Sequence, residues 1–309
     1  MNKLLITEYE AGQRLDKFLR KYFNDASPGF VYKMLRKKRI KRNGARADGG
    51  EVLAPGDELT FYIAPETMDK LMSAREFAGG GGVLDIVYED ENILAVNKPR
   101  GILTHPGLID QCLAYLHESG GFSADKTSVF TPAFCNRLDR NTSGIVLCGK
   151  NPAAMRELNR AIAGRCVDKY YLAVVVGEPP EEREVTSYHH TGKEMITGIT
   201  TLATAGKYSL LSVKLITGRK HQIRAQLSAL GAPVAGDAKY GGKVKGVPWQ
   251  LLHAERVAFG GLSGGLEYLN GKELYTPPDE WFLDKMQNLG LNKGYVSLNG
   301  GGRQYSFAL

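Results

Sequence analysis

Between residues 14 and 23 the apolar side chains Leu15, Phe18, Leu19 and Tyr22 recur at helical spacing, with Lys17, Arg20 and Lys21 opposite, which predicts a short amphipathic helix. A second helix is predicted from Ser27-Pro28, a capping residue followed by proline at the first helical position, with Val31, Met34 and Leu35 turned inward. Asn43-Gly44 and Asp48-Gly49-Gly50 signal turns, and residues 59–63 alternate as a strand does. From residue 65 the apolar rhythm weakens and ends in four glycines at 79–82, which predicts a flexible linker. Domains are therefore expected at 1–75 and 83–283, joined by a glycine-rich linker at 76–82 and followed by a tail at 284–309.

The larger segment opens with two strand-like runs, 83–88 and 93–96, flanking Glu89-Asp90-Glu91-Asn92 as a hairpin. Asn151-Pro152 caps a predicted helix carrying Met155, Leu158 and Ile162, with Gly164 as its stop. Residues 170–176 and 208–216 read as strands, and 181–200 as polar and irregular. A helix near Lys220 would bury Ile223, Leu227 and Leu230 while Lys220, His221 and Arg224 share another face, a ready anion site at a helix start. Residues 236–242 read as a loop and 251–254 as a short strand holding a structural His253. The glycine-rich tail is expected to pack loosely or be partly disordered.

Charge changes this picture. The net charge is +7 and the first 75 residues carry fifteen Lys and Arg against ten Asp and Glu, so +5 of it lies in the first quarter. Lys33, Arg36, Lys37, Lys38, Arg39, Lys41, Arg42 and Arg46 follow one another without an acidic residue. Such clustered cations repel one another without an anion, which favours a surface that follows nucleic-acid phosphates over a merely solvated face. Cys112, Cys135, Cys148 and Cys166 form no C-x-x-C pair and read as free thiols. Without a long apolar run the chain is expected to be soluble, cytoplasmic and without a membrane partner.

The centre of the chemistry is Cys135-Asn136-Arg137-Leu138-Asp139-Arg140-Asn141-Thr142-Ser143-Gly144, which runs directly into the apolar Ile145-Val146-Leu147-Cys148. In an arbitrary chain a carboxylate between two arginines is a surface ion pair. The absences give it weight: no P-loop, no G-x-G-x-x-G after a strand, no G-x-S-x-G and no metal-ligand spacing, His189-His190 included. A carboxylate, a tyrosine and arginines beside a basic surface suit cofactor-free chemistry at a sugar or base.

These stretches resemble the RluA family of RNA pseudouridine synthases. The likeness rests on Tyr88–Pro99, Arg137–Gly144, Lys169-Tyr170-Tyr171-Leu172-Ala173, Thr217–Arg224, and Gly236-Asp237 with Leu252-His253-Ala254, five motifs in the family's order. The first 75 residues resemble the RNA-binding domain first described in ribosomal protein S4, through Arg14–Leu19, Ile40–Gly44 and Pro55–Leu59, with Lys38 where that pattern usually has glycine. The resemblance implies an α+β chain: a small N-terminal S4-like α/β RNA-binding domain, then a catalytic domain with a mixed, mainly antiparallel sheet and flanking helices.

The resemblance also implies isomerisation of uridine within RNA, most fittingly large-subunit ribosomal RNA, by glycosidic cleavage, uracil rotation and C5 reattachment, without cofactor or metal; nothing in the sequence suggests an obligate assembly, so a monomer is expected. A transfer-RNA substrate and a non-catalytic ribosome-assembly role are the alternatives. By the same resemblance Asp139 is the essential carboxylate, as nucleophile or as base; Arg224 orients it, and Tyr171 lies against the uracil. Arg137 fills the place left by the extruded base, so the flanking arginines are not simply the carboxylate's partners. Further RNA contacts are expected from Arg140, Lys33, Arg36, Lys37, Lys38, Arg39, Lys41, Arg42, Arg219 and His221. Asn136 stands where the family commonly has histidine; since asparagine lacks a titrating ring but still hydrogen-bonds, a structural change without loss of activity is expected.

Overall fold

The computed structural model describes residues 2–7, 10–72, 83–120, 130–179 and 182–291. These divide into two compact units, one drawn from Met1–Gly82, Asp110–Ala133 and Gly149–Arg156, the other from Val83–Ile109, Phe134–Cys148 and Glu157–Leu309.

In the first unit, β1 (Asn2–Leu5), α1 (Leu15–Tyr22), α2 (Pro28–Arg36), β2 (Ile40–Arg42), β3 (Ala45–Arg46), β4 (Glu58–Phe61) and α3 (Pro65–Leu71) follow in order, and the strands form a sheet of order β1-β4-β2-β3. The apolar face of α1 is buried as its spacing demands, with Leu15, Phe18 and Leu19 fully enclosed. The Tyr22 ring lies parallel to Phe61 at 5.2 Å, and Phe23 meets Phe61 edge-on at 5.6 Å. The Ser27 hydroxyl caps α2 by accepting from the Phe30 amide at 3.2 Å. Asn43 and Gly44 take φ of 49° and 76°, the hairpin turn the sequence predicts. Lys38 adopts φ 56°, the conformation glycine favours, so the loop keeps a glycine-type path with a lysine in it. The expected linker begins too early. Residues 65–71 are helical and bury Met68, with Met72 buried just beyond. The predicted linker at 76–82 lies outside the described residues.

The following elements are β5 (Ile86–Glu89), β6 (Ile93–Lys98), α4 (Ile109–Glu118), β7 (Ala133–Phe134), β8 (Ser143–Gly149), α5 (Pro152–Ala163), β9 (Val167–Val176), β10 (Glu182–Tyr188), β11 (Glu194–Ala205), β12 (Tyr208–Leu215), α6 (Gln222–Ala229), β13 (Leu252–Phe259), β14 (Glu273–Tyr275) and α7 (Glu280–Asn288). Ten strands make one sheet: β10-β11-β12-β9-β13-β8-β6-β5, with β14 on β13 and β7 on β8. Most pairings are antiparallel, whereas β13 runs parallel to β8, so the sheet is mixed. Gly144 is required at that junction. Its φ is 114° and a Cβ would sit 2.2 Å from the Ala254 carbonyl oxygen.

Three expectations need correction here. Residues 181–200 are not irregular, since β10 and β11 form a hairpin. Its period is masked because Thr197 shares the buried side with Met195 and Ile199, its hydroxyl donating to Gln226 Oε1 at 2.6 Å. The strand expected at 251–254 runs on to Phe259 through an irregularity between Ala254 and Arg256. The boundary at 283 cuts α7, which Asp279 caps through the Phe282 amide and which buries Phe282 and Met286. The remainder of the predicted tail, 292–309, lies outside the described residues.

Candidate active site

The loop joining β7 to β8 carries Arg137, Leu138, Asp139 and Arg140, and it is fastened from several sides. Asn136 accepts from the Leu147 amide at 2.8 Å and donates to the Ile145 carbonyl at 3.3 Å, tying the loop's start to β8. The Thr104 hydroxyl accepts from the Leu138 amide and donates to its carbonyl. Beneath the loop lies Lys98, fully buried, whose ammonium donates to the carbonyls of Pro99, Ile102 and Arg140 at 2.8, 2.9 and 3.0 Å. Three donors thus meet three acceptors, which makes burial of the cation tolerable. Burial pushes its pKa down to about 8, Arg100 adding to the shift and the Asp139 charge opposing it.

From the other side α6 presents Arg224, which joins two carboxylates. Its Nη1 donates to Asp139 Oδ2 at 2.8 Å, while Nε and Nη2 donate to the two oxygens of Asp237 at 2.5 and 2.9 Å. Asp237 is buried and also accepts from the amides of Lys239 and Tyr240. Burial alone would lower the arginine's pKa, but its bonds to Asp237 and Asp139 raise it, so the guanidinium is permanently charged. The result is a bidentate clamp that fixes Arg224 and, through it, one oxygen of Asp139.

The other oxygen, Oδ1, faces His221 Nε2 at 3.6 Å, and the His221 ring also meets the Tyr240 hydroxyl at 3.2 Å. Burial, Arg224, Lys239 and Lys220 lower the His221 pKa, and Asp139 opposes them. His221 caps α6 in a left-handed conformation, so the helix starts at Gln222 and not at Lys220. The anion at this helix start is the chain's own Asp139. Tyr171 lies on β9 opposite Val213 and Ala254, is 5% exposed, and has its phenol pKa raised by burial and by Asp139. It therefore stays protonated at neutral pH.

Asp139, Tyr171, His221 and Arg224 line one open cleft, with Arg137 and Arg219 also on its walls. The polar groups converge on Asp139 and the remaining lining includes Leu138, Leu215, Ile223 and Leu252, a wall suited to a flat heterocycle.

Arg137 and Arg140 are exposed, and Arg140 Nε donates to the Gly101 carbonyl at 3.1 Å. In the first unit Lys33, Arg36, Lys37, Lys38 and Arg39 are all exposed. Lys41 stands 5.2 Å from the Tyr62 ring centroid, and Arg42 pairs with Asp57 at 2.6 Å. His253, read as structural, is fully buried between Ser143 Oγ at 2.9 Å and the Thr276 carbonyl at 3.0 Å. Sequence reasoning gave no role to Lys98 or Asp237. A lysine ending a strand reads as a surface residue, and the signal for Asp237 was only its place in the Gly236-Asp237 motif.

The family described as RNA pseudouridylate synthase matches residues 92–229. An uncharacterised RNA pseudouridine synthase of Bacillus subtilis (strain 168), YlyB, is 30% identical over 94% of this chain and all of its own length. Ribosomal large subunit pseudouridine synthase C of Rickettsia bellii (strain RML369-C) is 33% identical over 79% of this chain and 88% of its own. The fold is shared with human RNA pseudouridylate synthase domain containing 4, at a TM-score of 0.55 and 23% identity over 67% of this chain and 93% of that one. The chain belongs to the RNA pseudouridine synthases of the RluA type, enzymes that isomerise uridine within RNA.

Proposed function

We propose that Asp139 is the essential carboxylate of this isomerisation and that the substrate is large-subunit ribosomal RNA. The observation that carries the first part is the Asp139–Arg224–Asp237 chain of hydrogen bonds at the cleft. Arg224 occupies Oδ2, so Oδ1 is the oxygen left to act on the ribose, as nucleophile at C1′ or as base at C2′. When the glycosidic N1–C1′ bond breaks, the freed uracil turns between the apolar wall and Tyr171 and C5 bonds to C1′, releasing any Asp139–C1′ ester; C5 then loses its proton and N1 gains one, so the product is an isomer of the substrate. Tyr171, held neutral, offers a ring face and a hydroxyl to the base. A stacked uridine cannot reach such a cleft, so it must leave the stack at a cost of about a few kcal/mol. Arg137, exposed at the cleft's edge, takes its place in the helix.

The substrate reading is supported by the Rickettsia relative, named for the large ribosomal subunit. We assign the basic surface of the first unit, an S4-like RNA-binding domain, to phosphate contacts; it is supported by the five exposed cations from Lys33 to Arg39. Mapping pseudouridines in ribosomal RNA from cells with and without the protein tests this. Sites in large-subunit RNA should disappear with the protein, and an unchanged large-subunit map with lost transfer-RNA sites would overturn the substrate.

A further inference from the structure

We propose that the loop 243–249 is a separate RNA contact of the second unit, in which Trp249 stacks on an unpaired base and Lys243 and Lys245 hold the flanking phosphates. This rests on the reading of the cleft as the uridine site.

The loop is a fixed projection. Its stem is bound to the segment around Asp237: Gly236 N donates to the Gly242 carbonyl at 2.7 Å, Gly242 N to the Asp237 carbonyl at 2.8 Å, and Leu251 N to the Ala235 carbonyl at 2.8 Å. Gly236, at φ 83°, lies so close to the Trp249 backbone that a Cβ would stand 2.0 Å from its carbonyl oxygen. The loop then turns back on itself through the Val244 and Val247 bridge. Its position is thus set by the residue that clamps Arg224.

Its tip is made for a base and a backbone. Trp249 is 43% exposed, Lys243 and Lys245 are exposed, and residues 243–250 contain no acidic side chain. Cations interleaved with an aromatic face are what single-stranded nucleic acid requires, since every base has a π-face and every linkage a charge. Trp249 also ends a chain of contacts that begins at the loop carrying Asp139. Gly101 N donates to the Arg140 carbonyl at 3.0 Å, the adjacent Arg100 guanidinium lies 3.7 Å from the Trp281 ring centroid, and Trp281 lies 5.8 Å from Trp249. Asp279 neutralises Arg100, so the charge offered to RNA comes from the two lysines. These contacts link the surface to the loop that carries Asp139, and one RNA strand is proposed to serve both.

Trp249 and Trp281 are the chain's only tryptophans, so fluorescence of the full-length protein reads the contact directly. An oligoadenylate of about twelve nucleotides should quench the wild-type emission, and Trp249→Phe should remove most of that response. With a ribosomal RNA substrate, Trp249→Ala should raise KM about tenfold with kcat within about twofold, and Trp249→Phe should recover most of the loss. Lys243→Gln with Lys245→Gln should reduce the salt dependence of binding by roughly 1.4 in the log–log slope. Equal quenching in wild type and Trp249→Phe, with KM and salt slope unchanged, overturns the contact. Quenching needs no turnover, so it separates this outcome from failure of the substrate assignment, which pseudouridine mapping reads.

Discussion

The cationic groups of the cleft and those of the first unit's surface are the same side chains put to opposite uses. Arg224 and Lys98 each spend three donors on the protein itself, on two carboxylates and on three carbonyls. Lys33, Arg36, Lys37, Lys38 and Arg39 face water. Internal pairing fixes atoms to within hydrogen-bond tolerance, which turnover needs and which costs flexibility. Exposed cations fix nothing, and under the proposed reading their charge serves the RNA phosphates. Changes in the cleft should therefore act on kcat, and changes on the surface on KM and its salt dependence.

The largest effect short of removing Asp139 is expected from Asp237→Asn. It keeps the shape but leaves Arg224 held by one carboxylate, and kcat should fall about a hundredfold with KM within about twofold, measured in steady-state pseudouridine assays. Unchanged kcat would show that the clamp does not matter to turnover. The matching surface change, reversal of Lys37, Lys38 and Arg39 to glutamate, should raise KM about tenfold or more at physiological salt, leave kcat nearly intact and flatten the salt slope. An unchanged slope would remove this face from the RNA interface.

Smaller effects test the scaffold behind each region. In the second unit, the Thr276 carbonyl can only accept, so His253 donates from Nε2 and its Nδ1 accepts from Ser143. Burial lowers its pKa from the ordinary 6.5 to about 4. The unfolded chain then binds more protons between these values, so this contribution to stability is whole above about pH 6.5 and falls as pH drops toward 4. The loss is on the order of 3 kcal/mol. Urea unfolding at pH 7 and 5 should show a drop that His253→Gln reduces. In the first unit, Lys38→Gly should relieve a left-handed lysine and raise stability by about 1 kcal/mol, read as a shift in the urea midpoint, while slightly weakening RNA binding.

Much of this was legible in the chain. Periodicity gave α1, α2 and the Asn43-Gly44 hairpin because their apolar faces are regular and their turn residues specific. The motif resemblance picked out Asp139, Tyr171 and Arg224, which the fold brings to one cleft from a loop, a strand and a helix. What stayed hidden depends on tertiary pairing. Thr197 is buried only because Gln226 and Gln222 satisfy its hydroxyl, so β11 read as polar. Lys98 is buried only because three carbonyls converge on it, and Asp237 reveals its purpose only once Arg224 lies against it. Arg42, one of eight basic residues between 33 and 46, is set apart by its ion pairs with Asp57 and Glu51.

On the proposed assignment, chemistry resides in Asp139 and association elsewhere. Asp139→Asn, assayed on large-subunit RNA for pseudouridine formed in a single turnover and for RNA affinity in the same preparation, tests it most directly. No pseudouridine should be detectable, with a Kd within about twofold of wild type. Pseudouridine formed at a rate near that of the wild type would contradict it.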